Sequence, residues 1–314
     1  MKIVITGALG HIGSRLIREL PGVFPGAELV LVDDFSTQRY PSLFNLPDGA
    51  RFRFLEADVQ RMALGPVIEG ADALVHLAAI TDAASSFEKA EQVEQVNYEA
   101  TVRMAEACRD ANVPLVFLST TSVYGTQSDV VDEDCPESDL QPQSPYAASK
   151  LRAEKALAAM DGLRFITCRF GTIFGVSPGM RFHTAVNKFI WQACQGLPIT
   201  VWRSALDQRR PYLDLEDAVR AIAFIIERSL FDGRIYNVLT INATVREIVD
   251  AIRVHVPELD VQLVDARIMN QLSYTVKAER FAQAGFEARG DLARGVADTV
   301  GLLRNIASRD VRIV

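Results

Sequence analysis

The segment Thr6-Gly7-Ala8-Leu9-Gly10-His11-Ile12-Gly13 constrains this chain more than any other stretch. It follows a short apolar run, Lys2 to Thr6, and opens a stretch of helical period over residues 11–19. Glycine at such a junction permits a tight turn, lets backbone approach a phosphate closely, and lets a helix lie against a strand. A helix start in that place offers free N–H groups and a positive dipole end to an anion. The spacing is GxxGxxG, which on its own is equally a glycine-rich turn without a ligand, so the context decides. A second apolar run, Glu28 to Asp33, ends on a carboxylate 20 residues beyond Gly13. An acid there accepts hydrogen bonds from adenine ribose hydroxyls and repels a 2′-phosphate, which points to NAD rather than NADP. Arg39 is the weaker, contrary indication, because it stands well past the strand end.

Further β-rich runs at residues 51–56, 73–76, 115–119 and 165–169 alternate with helical stretches, the longest over residues 87–110. Near-continuous apolar strands separated by helices predict a parallel sheet covered on both faces. The pattern loosens after Arg169, where Gly175, Pro178 and Gly179 mark irregular chain. Helices are expected over residues 184–195, 214–228, 244–255, 277–284 and 291–305, with a short strand over 235–238. The fold expected is α/β, a doubly wound parallel sheet with a smaller C-terminal α/β lobe. The nucleotide-binding part spans residues 1–170 with a return segment near 212–238; residues 171–211 and 239–314 make the lobe.

Composition bounds the function. With 314 residues and 49% hydrophobic, the chain has material for a large core. Its net charge of -7 argues against nucleic acid or an anionic membrane as partner, since both attract basic surfaces. Cys108, Cys135, Cys168 and Cys194 lie far apart, without metal-ligand spacing, and read as reduced thiols; no metal is expected. Met1-Lys2 leads straight into the first strand, and no uncharged run nears the roughly 18 residues of a membrane span. The expectation is a cytoplasmic protein.

Ser144-Pro145-Tyr146-Ala147-Ala148-Ser149-Lys150 carries the chemistry. Ser144 is a good N-cap and Pro145 a good first helical residue, so a helix begins here. Tyr146 and Lys150 then share one helix face. A free tyrosine, with a pKa near 10, is a poor base at neutral pH. A lysine ammonium and a positive nicotinamide ring would favour the phenolate and lower that value. A surface helix with an accidental YxxxK is the bland alternative; it loses weight because this pair follows the fifth strand of a dinucleotide-binding pattern. A hydroxyl near that strand's end should assist, and Ser119-Thr120-Thr121-Ser122 supplies several without spacing choosing among them.

Together these segments resemble the extended short-chain dehydrogenase/reductase family, in its sugar-nucleotide epimerase/dehydratase branch with a Rossmann-type sheet. The likeness also takes in Asp58-Val59, His76-Leu77-Ala78-Ala79, Val96-Asn97, residues 169–175 and the run Arg209-Arg210-Pro211-Tyr212-Leu213-Asp214-Leu215-Glu216-Asp217-Ala218. It implies Thr120, Tyr146 and Lys150 as the catalytic set. It implies cofactor contacts from Gly7, Gly10, His11, Ile12, Gly13, Asp33, Asp34, Asp58, Val59, Leu77, Ala78, Ala79 and Ser119 besides Tyr146 and Lys150. Asp34 by itself reads as a turn acid. Asn97 is expected to support the site structurally. Substrate contacts are implied for Thr81, Thr120, Thr121, Thr172, Arg210 and Arg267, the two arginines gripping a pyrophosphate, since guanidinium suits phosphate oxygens. Asp217 reads as a helix N-terminal acid.

The departures shape the expected reaction. Thr172 stands where many family members carry an asparagine. Thr121-Ser122 replaces the acid pair of 4,6-dehydratases, and Ser122 stands where decarboxylases carry a glutamate. Arg267-Ile268-Met269-Asn270 departs from the usual Arg-x-Gly-Asp pattern. The expectation is an NAD-dependent epimerase of a nucleoside-diphosphate sugar, at C4 through a transient 4-keto sugar. A dehydratase or reductase of the same family is the alternative, with His183 or Cys168 as helpers, and a non-catalytic NAD-binding regulator the remote one. A homodimer is implied through the 87–110 helical stretch and the helix begun at Pro145. Ala147, Ala148, Leu151, Ala153 and Ala156 would allow close packing against a partner helix or against the chain's own sheet.

Overall fold

The computed structural model describes residues 1–125, 129–265 and 273–303. In chain order its strands are β1 (Lys2–Thr6), β2 (Glu28–Asp33), β3 (Arg51–Glu56), β4 (Ala73–His76), β5 (Leu115–Thr120), β6 (Val130–Val131), β7 (Phe165–Phe170), β8 (Thr172–Phe174), β9 (Ile199–Trp202), β10 (Arg209–Asp214), β11 (Ile235–Val238), β12 (Ile241–Thr244), β13 (Val261–Val264) and β14 (Thr275–Val276). The α-helices are α1 (His11–Val23), α2 (Gly65–Ile68), α3 (Ala90–Glu94), α4 (Ala100–Asp110), α5 (Pro145–Ala158), α6 (Ala185–Cys194), α7 (Leu215–Arg228), α8 (Val245–Arg253), α9 (Glu279–Gln283) and α10 (Leu292–Leu303).

Seven strands form one parallel sheet in the order β11-β7-β5-β4-β1-β2-β3. Ile5 lies opposite Leu31 on one side and Val75 on the other, and Thr6 is level with His76. The chain winds outward from β1 to β3, then returns to β4 and winds the other way. This reversal between β1 and β4 opens a crevice at the carboxyl ends of the strands, where ligands bind in such sheets. Alternate residues of each inner strand point to opposite faces, so both faces must be apolar. Ile3, Ile5, Leu29 and Leu31 pack with Leu16, Ile17 and Leu20 of α1 and Ile222, Ile225 and Ile226 of α7. Val4, Val30, Leu74, Leu115 and Phe117 pack with Met104, Ala105 and Cys108 of α4 and Ala153 and Leu157 of α5.

The C-terminal part builds its own core. Strands β12, β10 and β8 form a mixed sheet, and β13 pairs with β9. Phe174, Ile190, Tyr212, Ile248 and Val296 meet beneath α6, α8 and α10. β11 returns to the large sheet beside β7, and α7 packs on α1, whereas β10 belongs to the small sheet. The short lobe strands were not legible in the sequence, because runs this brief lack a distinct period and gain their order only by pairing. The expected continuous helix over 87–110 is broken: a 3-10 turn Ser85–Phe87 precedes α3, and a π turn Gln95–Glu99 joins α3 to α4. Among the described residues no helix is long and apolar enough to cross a membrane, and no cluster of His, Cys, Asp and Glu suits a metal ion.

One buried ion pair ties the sheet to α5. Arg169 of β7 and Glu154 of α5 are 2% and 3% exposed. Arg169 donates from Nη2 to Glu154 Oε2 at 2.6 Å and from Nε to both carboxylate oxygens at 3.1 and 3.2 Å. Its Nη1 donates to the Tyr124 hydroxyl at 2.9 Å, which donates to Asn237 Oδ1 at 2.8 Å. Ser119 completes the set by donating to Glu154. Burial alone would push the Arg169 pKa down, but Glu154 and Tyr124 more than offset it, and the guanidinium stays charged. Removing one partner strands a buried charge. Glu154→Ala is therefore expected to cost about 3–5 kcal/mol, and the double variant Glu154→Leu/Arg169→Met distinctly less. Urea unfolding of the three proteins checks both the loss and its partial recovery.

Candidate active site

The crevice holds a cavity of about 560 Å³. Its walls include Gly7, Gly10, His11, Ile12, Gly13, Asp33, Asp34, Asp58, Val59, Leu77, Ala78, Ala79, Thr81, Ser119, Thr120, Tyr146, Lys150 and Thr172. Six of these chain segments converge because each ends or follows a strand of the parallel sheet, and the seventh, with Tyr146 and Lys150, belongs to α5. The glycine turn owes its shape to close contact: a Cβ on Gly7, which has φ +64°, would lie 2.6 Å from Ala78 N, and one on Gly13 2.6 Å from the carbonyls of Gly7 and Ala8. No side chain caps the start of α1.

Asp33 braces this turn. Its oxygens accept from the N–H groups of Leu9 at 3.0 Å and Phe35 at 3.1 Å. Burial raises its pKa, those two hydrogen bonds and Arg39 opposing. Asp34 accepts from Ser36 N at 2.9 Å, the turn role the sequence suggested. Asp58 makes a similar turn with Gln60 N at 2.8 Å. The Val59 carbonyl accepts from Arg103 at 2.8 Å.

A relay fixes the segment after β4. Ala78 N–H meets Thr6 Oγ1 at 3.4 Å, Thr6 Oγ1 lies 2.7 Å from His76 Nδ1, and His76 Nε2 lies 3.1 Å from Thr101 Oγ1. Thr101 donates to the Asn97 carbonyl at 2.8 Å, so it accepts from His76, whose proton sits on Nε2. Burial pushes His76 down to about 3, which keeps the ring neutral. Asn97, inside the π turn, binds both backbone groups of Ile80, at 2.8 and 2.9 Å. The support role expected for Asn97 thus has a geometry, and it falls at the break in the helix.

The reacting groups stand where β5 ends and α5 begins. Ser144 caps α5 by accepting from Ala147 N at 3.2 Å. Thr120 Oγ1 accepts from Ser122 N at 3.1 Å and lines the same cavity as Tyr146, close enough to influence its hydroxyl. Burial raises the Tyr146 phenol, against the pull of Thr120 and of the Arg181 charge. Desolvation outweighs these two influences, and Arg181 is the cation that acts on the Tyr146 phenol. Lys150 is 3% exposed, with Nζ 4.9 Å from the Phe117 ring centre. Burial pushes its ammonium down to about 8, while the Glu154 charge supports it.

Two substrate residues expected from the sequence, Thr121 and Arg210, are not among the residues that line this cavity. Thr121 is buried and donates to the Phe170 carbonyl at 3.2 Å, because the turn after β5 sends its side chain into the core; Ser122 lines the cavity instead. Arg210 lies over the Tyr274 ring at 5.6 Å and does not reach the walls. Arg267 lies outside the described residues. Asp217 is fully buried and accepts from Thr240, Arg289 N, Gly290 N and Arg220, so it anchors the segment before α10. Cys168 is buried in the core with its thiol pushed up by desolvation, whereas His183 does line the cavity. Arg39 and Arg181 also line it. The sequence held no signal for Arg181, since nothing in its spacing relates residue 181 to the glycine turn.

Known proteins resemble this chain in sequence and fold. A family model described as NAD dependent epimerase/dehydratase matches residues 3–238. A Bacillus subtilis (strain 168) protein named as an uncharacterized UDP-glucose epimerase, YtcB, is 32% identical over 248 residues, 76% of either chain. A trifunctional Arabidopsis thaliana protein named for UDP-glucose 4,6-dehydratase, 3,5-epimerase and 4-keto-rhamnose reductase steps is 26% identical over 314 residues; this is 95% of the present chain and 46% of the larger one. The structure of MoeE5 with UDP-glucuronic acid and NAD superposes with a TM-score of 0.82 and 29% identity, over 98% of this chain and 100% of that one. The chain belongs to the NAD-dependent epimerase/dehydratase family, with NAD as its cofactor.

Proposed function

We propose that this protein epimerises a nucleoside-diphosphate sugar at C4 by way of a transient 4-keto sugar. The observation that carries the reading is the placement of Thr120 and Tyr146, with Lys150 and Thr172, in one cavity with the glycine turn. The residues fit NAD: an uncapped helix start for its phosphates, Gly7 and Gly13 where side chains would clash, and Asp33 at the end of β2. When bound, NAD supplies the site that accepts a hydride and returns it. Tyr146 takes the proton of the C4 hydroxyl, and Thr120, held by Ser122 N, keeps that oxygen in place. The keto sugar turns over in the cavity, and Tyr146 returns the proton once the opposite face is presented. The acid pair that would assist elimination in a dehydratase is replaced by Thr121 and Ser122, and this favours epimerisation. A retained Tyr146 and Lys150 speak against a non-catalytic regulator.

The likeness to a trifunctional protein named for dehydratase and reductase steps keeps those reactions as the competing reading. Product mass separates them, since dehydration removes water and reduction adds two hydrogens. We also propose a homodimer through α3, α4 and α5. Ala147, Leu151 and Ala153 are buried within the chain itself, so the partner would instead meet outward residues such as Phe87 and Arg152, which lies over Tyr98.

Incubation with UDP-, GDP-, TDP- and CDP-sugars is expected to give a stereoisomer at unchanged mass without net NAD consumption; loss of water or carbon dioxide overturns the reading. Tyr146→Phe is expected to lower turnover by about 10²–10⁴-fold and to keep NAD. A folded Lys150 pKa of about 8 lies below its ordinary 10.5, so the buried charge costs stability below about pH 8. That cost is relieved as pH climbs through the window from about 8 to 10.5. Lys150→Met is therefore expected to melt no lower than wild type at neutral pH, with its advantage shrinking as pH rises through that window, while turnover falls at least about 100-fold. Melting curves across this range check the sign. Sedimentation at micromolar concentration is expected to show a dimer, and a monomer there rejects the proposed interface.

A further inference from the structure

Among the described residues, two arginines in the cavity make no direct ion pair, with Asp33 and Asp82 the carboxylates nearby. Arg39 precedes the 3-10 turn Tyr40–Leu43, and Arg181 stands between β8 and α6. Both line the cavity, and no carboxylate lies within 4.0 Å of either among the described residues. Arg39 Nη1 and Arg181 Nε are buried and have no hydrogen-bond partner. A desolvated guanidinium with an idle N–H is costly unless an anion completes it.

The place of that anion follows from what surrounds the pair. Arg39 Nη1 is 3.9 Å from the point a Cβ on Gly10 would occupy, so it sits over the start of α1. His11, the first residue of that helix, is pushed down to about 4 by burial, with the charges of Arg181 and Arg39 adding to it. Arg181 is itself lowered to about 10 by burial and by Arg39. Two cations and a positive helix end therefore converge. The nearby acids do not cancel them: Asp33 accepts from Leu9 N and Phe35 N, and Asp82 from Ala84 N and Ser85 N.

Arg181 is held there by its own segment. Ser177 donates to the His11 carbonyl at 2.9 Å, and Gly179 N donates to Ser14 Oγ at 2.9 Å. A Cβ on Gly179 would lie 2.2 Å from the Leu9 carbonyl, so only glycine allows this approach. Asn187 fixes the Arg181 carbonyl at 3.0 Å, and Arg181 Nη1 donates to Thr81. The Thr81 hydroxyl expected to meet substrate is thus engaged by a cation from the lobe.

We propose that Arg181, together with Arg39, binds the pyrophosphate of the dinucleotide. Two guanidinium charges match its two negative charges, and the planar N–H fork suits phosphate oxygens. The segment that carries Arg181 also carries α6, so the cofactor becomes a bridge between the glycine turn and the lobe. The inference rests on NAD as cofactor and is independent of which sugar reaction follows.

The test is binding of NADH and of adenosine, which lacks phosphate, to wild type, Arg181→Gln and Arg39→Gln. Each variant is expected to bind NADH about 10- to 100-fold more weakly, with a shallower dependence on salt. Adenosine binding should be unchanged, and the melting temperature without added nucleotide should not fall, because one of two repelling charges is gone. Wild-type NADH affinity in Arg181→Gln overturns the proposal, including the case where only turnover of a uronic acid nucleotide drops; that outcome assigns Arg181 to a sugar carboxylate. If the glutamine variant does not accumulate folded, Arg181→Met, which keeps the apolar stem, carries the same test. A failed epimerase assay leaves these binding results untouched, so the two readings fail separately.

Discussion

The site depends on backbone segments meeting where no side chain fits. Gly7 brings the turn after β1 against the segment after β4, Gly13 lets α1 start directly above that turn, and Gly179 lays the lobe segment on Leu9. At each point a Cβ would come within 2.6 Å of backbone atoms. Backbone cannot rotate away from such a clash as a flexible side chain can, so these contacts hold three regions in one register. The uncapped start of α1, the carboxylate of Asp33 and the guanidinium of Arg181 come together only because of it.

Buried polar groups then carry that geometry to the reacting hydroxyls. Glu154 joins Arg169 of β7 and Ser119 of β5 to α5, which also carries Tyr146 and Lys150. The relay from Thr6 through His76 and Thr101 to Asn97 performs the same service for the segment after β4. Every member of these sets is satisfied by a partner, which is the condition under which buried polar groups stiffen a core rather than weaken it. Lys150 lies between the two, above Phe117, with Glu154 opposing the cost of its burial.

Much of the large sheet was legible because its strands are apolar on both faces and its helices carry a clear period; β1 to β4 fall on the residues expected. The cofactor side of the cavity was legible for a related reason. Glycine, a strand-end acid and a YxxxK pair each answer a local requirement of chain geometry. The lobe was less so: β8, β9, β10, β12 and β13 are at most six residues long and owe their order to one another. Thr121 shows the same limit at one residue. Its neighbours Thr120 and Ser122 face the cavity while it faces the Phe170 carbonyl, a choice made by the turn after β5 rather than by residue type.

By itself the sequence determined the alternation of strand and helix, the glycine turn, and the helix that places Tyr146 and Lys150 on one face. These are local properties, set by side-chain volume, backbone freedom and period. Tertiary structure alone decided that the segment carrying Arg181 lies on the start of α1, that Asn97 holds Ile80, and that Arg181 acts on Tyr146. These are distances between parts remote in the chain, and Coulomb forces and desolvation act on distance, whatever the separation along the sequence.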